Sequence, residues 1–145
     1  MLYHQSTIIF FAIFIISVFL DIILTPETRK CILVAEHNHL ERMEIITHII
    51  IHHFANTFLN FGWLIDNFWI HIVHIIICVG VIIYWANNNY RCDYTIYVNR
   101  LCKWHPDKYF NDIFEILGFK KYRTWHTIIH PAILLLGAGF SLSKI

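Results

Sequence analysis

The stretch "THIIIHHFANTFLN", Thr47 to Asn60, has the setting of a membrane span yet carries three histidines and two asparagines. A hydrocarbon core about 30 Å thick needs roughly 20 helical residues, and polar side chains facing it are costly. At the helical period of 3.6 residues, His48, His52, His53, Asn56, Thr57 and Asn60 share one half of the helix. Ile50, Ile51, Phe54, Phe58 and Phe61 share the other half. One half therefore calls for protein or water and the other for lipid.

Three further segments flank this one at spanning length, so the chain is expected to be an all-α membrane protein with four transmembrane helices at about 8–24, 45–65, 68–86 and 125–142. The whole of 1–145 then forms a single polytopic domain, with 87–124 as a structured extramembrane loop. Composition agrees: 57% of the residues are hydrophobic and only 14% charged, against roughly a quarter charged in soluble domains. A net charge of +1 argues against nucleic acid as a partner, because phosphate binding needs a concentrated excess of Lys and Arg. The bilayer is the expected partner, together with a second copy or another membrane protein. The first segment, "IIFFAIFIISVFLDIIL" from Ile8 to Leu24, reads as a retained anchor, since no basic residue precedes it and no small-residue cleavage site follows.

With four spans, Arg29, Lys30 and Arg42 fall in loop 25–44, and seven more basic residues, Arg91 to Arg123, fall in loop 87–124. Only Lys144 lies on the opposite side. The positive-inside rule then makes those two loops cytoplasmic and both termini non-cytoplasmic. Asp66 and Asn67 leave room for only a tight hairpin between the second and third spans.

Eleven histidines are the anomaly of the composition. Asn67, His71, His74, Cys78 and Trp85 form one stripe on the third segment, and His126, His130, Gly137 and Ser141 form one on the fourth. Depth divides them: His48, His52, His53, His126 and His130 belong to a layer near the basic loops, His71 and His74 to the other side. Interhelical hydrogen bonding is the plainest use of such residues. The sharper alternative is a transition-metal site drawn from His48, His52, His53, His126 and His130, or a b-type haem held by His52 and His130 from facing helices. No catalytic set is evident, and the histidine boxes of membrane desaturases are matched only superficially.

In loop 87–124, "NNN" at Asn87–Asn89 should end the third span. Phe110, Ile113, Phe114 and Leu117 recur at helical spacing, which predicts a short amphipathic interfacial helix at about 107–117. Cys92 and Cys102 are candidates for a disulfide in an oxidising compartment or for a zinc site with His105 and Cys31.

Trp85, Asn88, Asn89, Cys92, Thr95, Asn99 and Cys102, within "YWANNNYRCDYTIYVNRLC", together with "YFNDIFEILGFKK" after it, resemble the recurring pattern of a group of small multi-pass membrane proteins of large DNA viruses and microbial eukaryotes. The resemblance covers about a third of the chain. It implies a polytopic fold and a viral-envelope or host-membrane setting, and no activity. Three functional classes follow from the residues: a non-catalytic membrane component, a haem- or metal-binding electron carrier or oxidoreductase subunit, and a small transporter or proton channel.

Overall fold

A computed structural model describes residues 3–33, 38–89, 91–105, 108, 113–116, 118 and 125–145, and every regular element among them is helical. The order is α1 (Tyr3–Leu24), α2 (Pro26–Leu33), α3 (His39–Phe61), a 3-10 turn (Gly62–Leu64), α4 (Phe68–Asn87), α5 (Asp93–Leu101) and α6 (Ile113–Ile116). A π-helical turn, Trp125–Ile129, then runs into α7 (His130–Leu142).

Local chemistry sets the boundaries. Asn38 starts α3 with a reciprocal cap: its side chain accepts from the Glu41 amide at 2.9 Å, and the Glu41 carboxylate accepts from the Asn38 amide at 3.0 Å. Asn67 starts α4 by accepting from the Ile70 amide at 3.2 Å. Pro26 opens α2, where a missing N–H costs nothing. At the far end of α4 the asparagine run stops the helix: Asn89 takes φ of 51°, a left-handed conformation that asparagine tolerates, and the Asn88 amide donates to the Arg91 carbonyl at 3.1 Å.

Among the described residues two helices are long and apolar enough to cross a membrane, Gln5–Leu24 and Phe68–Asn87, and only 17% of each is buried within the chain. The other two expected spans fall short, for different reasons. In α3 the polar half counts against membrane hydropathy, because His48, His52, His53, Asn56, Thr57 and Asn60 replace apolar residues. The last segment, as far as the described residues go, gives an apolar helix over Thr127–Leu142, which is below spanning length.

Antiparallel neighbours make up the bundle. Phe10 and Phe14 of α1 meet Phe54 of α3 edge-on, with ring centroids 6.0 and 5.5 Å apart. Cys78 of α4 packs with Leu134 and Ala138 of α7. A second core lies away from α1 and α4, where Cys31, Ile45, Ile49, Val98 and Cys102 pack together. Phe58 and Phe61, expected to face lipid, are instead half-covered. Phe58 meets the His74 ring at 5.3 Å and Phe61 stacks on Phe114 at 6.2 Å, so α4 and α6 occupy space that the sequence pattern assigned to the bilayer.

The expected pairing of Cys92 with Cys102 is replaced by a Cys31–Cys102 disulfide, with Cα atoms 5.1 Å apart, and Cys92 is a free thiol. The reason is helical. Cys92 and Cys102 cap opposite ends of the nine-residue α5, and at 1.5 Å per residue that separates them by about 15 Å, beyond disulfide reach. Of the predicted interfacial helix 107–117, Lys108 is not helical and Ile113–Ile116 are; the rest lies outside the described residues.

Candidate functional site

The polar half of α3 is inserted among α1, α5 and α4, and each neighbour supplies a different partner. On the α1 side, His53 is fully buried between Ser17 and Asp21. Its Nδ1 lies 2.9 Å from the Ser17 hydroxyl and its Nε2 3.1 Å from Asp21 Oδ2. The Thr28 hydroxyl of α2 donates to the other Asp21 oxygen at 2.9 Å. Both Asp21 oxygens thus accept, which assigns the imidazole N–H to Nε2 and leaves Nδ1 to accept from Ser17. Ser17 and Asp21 are four residues apart on α1, so one helical face presents both to the same ring.

A hydroxyl, an imidazole and a carboxylate in a chain is the arrangement of a hydrolytic triad. Here it is closed. Ser17, His53, Asp21 and Thr28 are all buried, the Ser17 residue being only 2% exposed. The four side chains tie α1, α2 and α3 together.

On the α5 side, His48 Nδ1 lies 2.7 Å from the Tyr94 hydroxyl, and the Tyr97 hydroxyl donates to Glu44 at 2.8 Å. That bond to Glu44 holds the Tyr97 phenol above the ordinary tyrosine range, and burial does the same for Tyr94. His52 packs edge-on against Tyr94, with centroids 5.2 Å apart, and has Thr95 Oγ1 at 3.4 Å from Nε2.

The second layer is centred on His74 of α4. Its Nδ1 lies 2.8 Å from the Ser141 hydroxyl of α7, and its Nε2 3.2 Å from the Leu59 carbonyl of α3. His71, one turn away, is buried, and neither ring nitrogen has a hydrogen-bond partner among the described residues. Gly62 is the residue that makes room for His74, since a Cβ there would lie 2.6 Å from the ring. Gly62→Ala is therefore expected to push the imidazole off Ser141 and Leu59 and to cost about 1–3 kcal/mol, as overpacking does; the difference in unfolding midpoint from Gly80→Ala, where a Cβ meets nothing within 4 Å, measures it.

Sequence reading placed His48, His52, His53, His126 and His130 in one layer. The structure distributes the described ones. His48 and His52 turn to α5 and His53 to α1. His130 sits among Trp85, Trp125 and Phe114, with ring centroids 5.0, 6.2 and 6.4 Å away. The side chain of His126 is outside the described residues. His52 and His130, the pair expected for a haem, do share the wall of one cavity of about 1090 Å³ between α3, α4 and α5. Among the described residues no three His, Cys, Asp or Glu side chains are grouped to hold a metal ion. Cys92 also lines that cavity, while Cys102 is taken by Cys31.

Ser17 and Thr28 are polar partners that sequence reading did not single out; Ser141 was read into the polar stripe of the fourth segment but not as the partner of His74, and Asp21 entered only as part of the first apolar run. The signal for Asp21 was available: an acidic residue inside an otherwise apolar span needs a partner on another helix.

The fold and this network define a small, all-helical bundle with two helices competent to cross a bilayer and buried histidines at its helix contacts. No protein family, curated protein or solved structure matches the chain.

Proposed function

We propose that the chain is a multi-pass integral membrane protein without catalytic activity, in which buried histidines act as interhelical links. The observation that carries this reading is that His48, His53 and His74 each meet a polar group from a different helix, namely Tyr94, the pair Ser17 and Asp21, and the pair Ser141 and Leu59. Interhelical hydrogen bonds of this kind hold bundles together where lipid supplies no hydrophobic drive between helices. The four-pass arrangement extends it, with α3 shielding its polar half against α1, α5 and α4, and α7 beside α4. The viral or host-membrane setting rests on the motif from Trp85 to Cys102 alone.

In that arrangement the basic loops 25–44 and 87–124 face the cytoplasm and the termini lie opposite. The Cys31–Cys102 disulfide joins those same loops, and disulfides persist best in oxidising compartments. The two signals point to opposite sides: burial of both sulfurs in the core beside Val98 and Ile45 protects a formed bond from an attacking thiolate but supplies no oxidant to make it, so labelling decides between them. Cys92 is the free, partly exposed reporter. A membrane-impermeant maleimide should label it only from the cytoplasmic face. Labelling from the other face would turn the bundle over and place the disulfide in an oxidising compartment.

A haem-binding reading is favoured by one observation, the common cavity wall of His52 and His130. An absorption spectrum with metal analysis on detergent-purified protein separates the two. The structural reading expects a colourless protein whose spectrum is unchanged by His52→Leu. A Soret band that His52→Leu abolishes would make the haem reading the correct one.

A further inference from the structure

Three donor atoms from two helices converge beside His74. Its Nε2, the Cys78 Sγ one turn further along α4 and the Leu59 carbonyl of α3 form a triangle: nitrogen to oxygen is 3.2 Å, nitrogen to sulfur 3.4 Å and sulfur to oxygen 3.6 Å. One thiol proton and one ring proton serve at most two of those edges. Sides of that length leave a central point about 2.0 Å from all three atoms, against metal bonds of about 2.0–2.1 Å to imidazole nitrogen and about 2.3 Å to thiolate sulfur.

The surroundings suit a ligand set. His74 Nδ1 lies 2.8 Å from the Ser141 hydroxyl, and a metal-bound imidazole keeps its orientation by donating its other N–H in this way. His71, one turn nearer the start of α4, is 1% exposed with neither ring nitrogen partnered among the described residues, so this face carries more polar capacity than packing consumes. Charge then selects the metal. Cys78 and His74 are both fully buried, and a net charge in such a place is costly. A thiolate with a monovalent ion is neutral, whereas with a divalent ion it leaves one positive charge. Soft sulfur with imidazole suits monovalent copper, and a structural zinc site would require a fourth protein donor.

We propose that Cys78, His74 and the Leu59 carbonyl form a buried binding site for one monovalent copper ion. As the copper–sulfur bond forms, Cys78 gives up its thiol proton to solvent. The His74 ring proton sits on Nδ1 and is donated to Ser141, which leaves the Nε2 lone pair for copper; no electron is transferred. The site rests on the reading of His74 as an interhelical link and adds a metal to that link.

The full chain carrying Cys92→Ser, which removes the other free thiol, tests this when purified metal-free in detergent and titrated anaerobically with Cu(I), kept monovalent by ascorbate, against bicinchoninate as competing chelator. One copper per chain should be withdrawn from the chelator, with an affinity that rises about tenfold per pH unit because one proton is released. Copper should also raise the unfolding midpoint. Cys78→Ala should abolish both effects, its metal-free unfolding transition showing that it is folded, and Ser141→Ala should weaken binding about 10–100-fold. Uptake that survives Cys78→Ala, retention of Zn(II) in preference to Cu(I), or no uptake at all would overturn the site. Each of these leaves the interhelical reading intact as long as His74→Leu lowers the unfolding midpoint of the metal-free chain; an unchanged midpoint would overturn the link as well.

Discussion

His53→Leu is expected to lower the stability of the bundle by about 3 kcal/mol, the upper end of the range for leaving a buried acceptor without its donor, because the acceptor is a carboxylate. The leucine fills much of the space but leaves Asp21 Oδ2 without its donor, and Asp21 is itself buried. Ser17 loses its acceptor in the same step. The double variant Asp21→Leu with His53→Leu should be less damaging than the two losses added together, because no unpaired carboxylate is left behind. Thermal unfolding of the four proteins in one detergent closes the cycle. A single-variant loss no greater than that of Phe54→Leu, or strict additivity, would show that the chain from Ser17 through His53 to Asp21 does not hold the helices together.

Removing the cross-link between the two loops should have an effect of similar size. Cys31 and Cys102 are 71 residues apart in the chain, and closing a loop of that length in the unfolded state corresponds to about 4 kcal/mol on the chain-entropy account. Cys31→Ser should therefore lower the unfolding midpoint substantially and make it insensitive to reductant, while Cys92→Ser should stay within about 0.5 kcal/mol of the parent. Peptide mapping without reduction gives an independent readout: one linked pair should contain Cys31 and Cys102. A linked pair containing Cys92 would restore the pairing expected from sequence spacing.

Much of the architecture was legible because it depends on short-range rules. The apolar runs of α1 and α4, the stop at Asn87–Asn89 and the two-faced character of α3 all follow from residue type and helical period, whereas the start of α3 at His39, six residues before the expected span, was not read. The buried set on α3 includes His52, His53, Asn56, Thr57 and Asn60, which is the polar half read from the 3.6-residue repeat. His48 is only half-buried, and its partner Tyr94 comes from α5, whose position no repeat within α3 encodes.

What the sequence by itself determined is thus the helical class, the faces of the helices and the need for buried partners wherever a polar side chain falls in an apolar run. Partner identity was decided only by the tertiary structure. Helical periodicity states which side of a segment a residue occupies, but not which other segment will lie there or at what rotation. That is why His53 found Ser17 and Asp21, Cys102 found Cys31 rather than Cys92, and His52 and His130 came to line one cavity. Each of those pairings joins residues from elements far apart in the chain, and it depends on packing that sums over the whole bundle rather than on any local pattern.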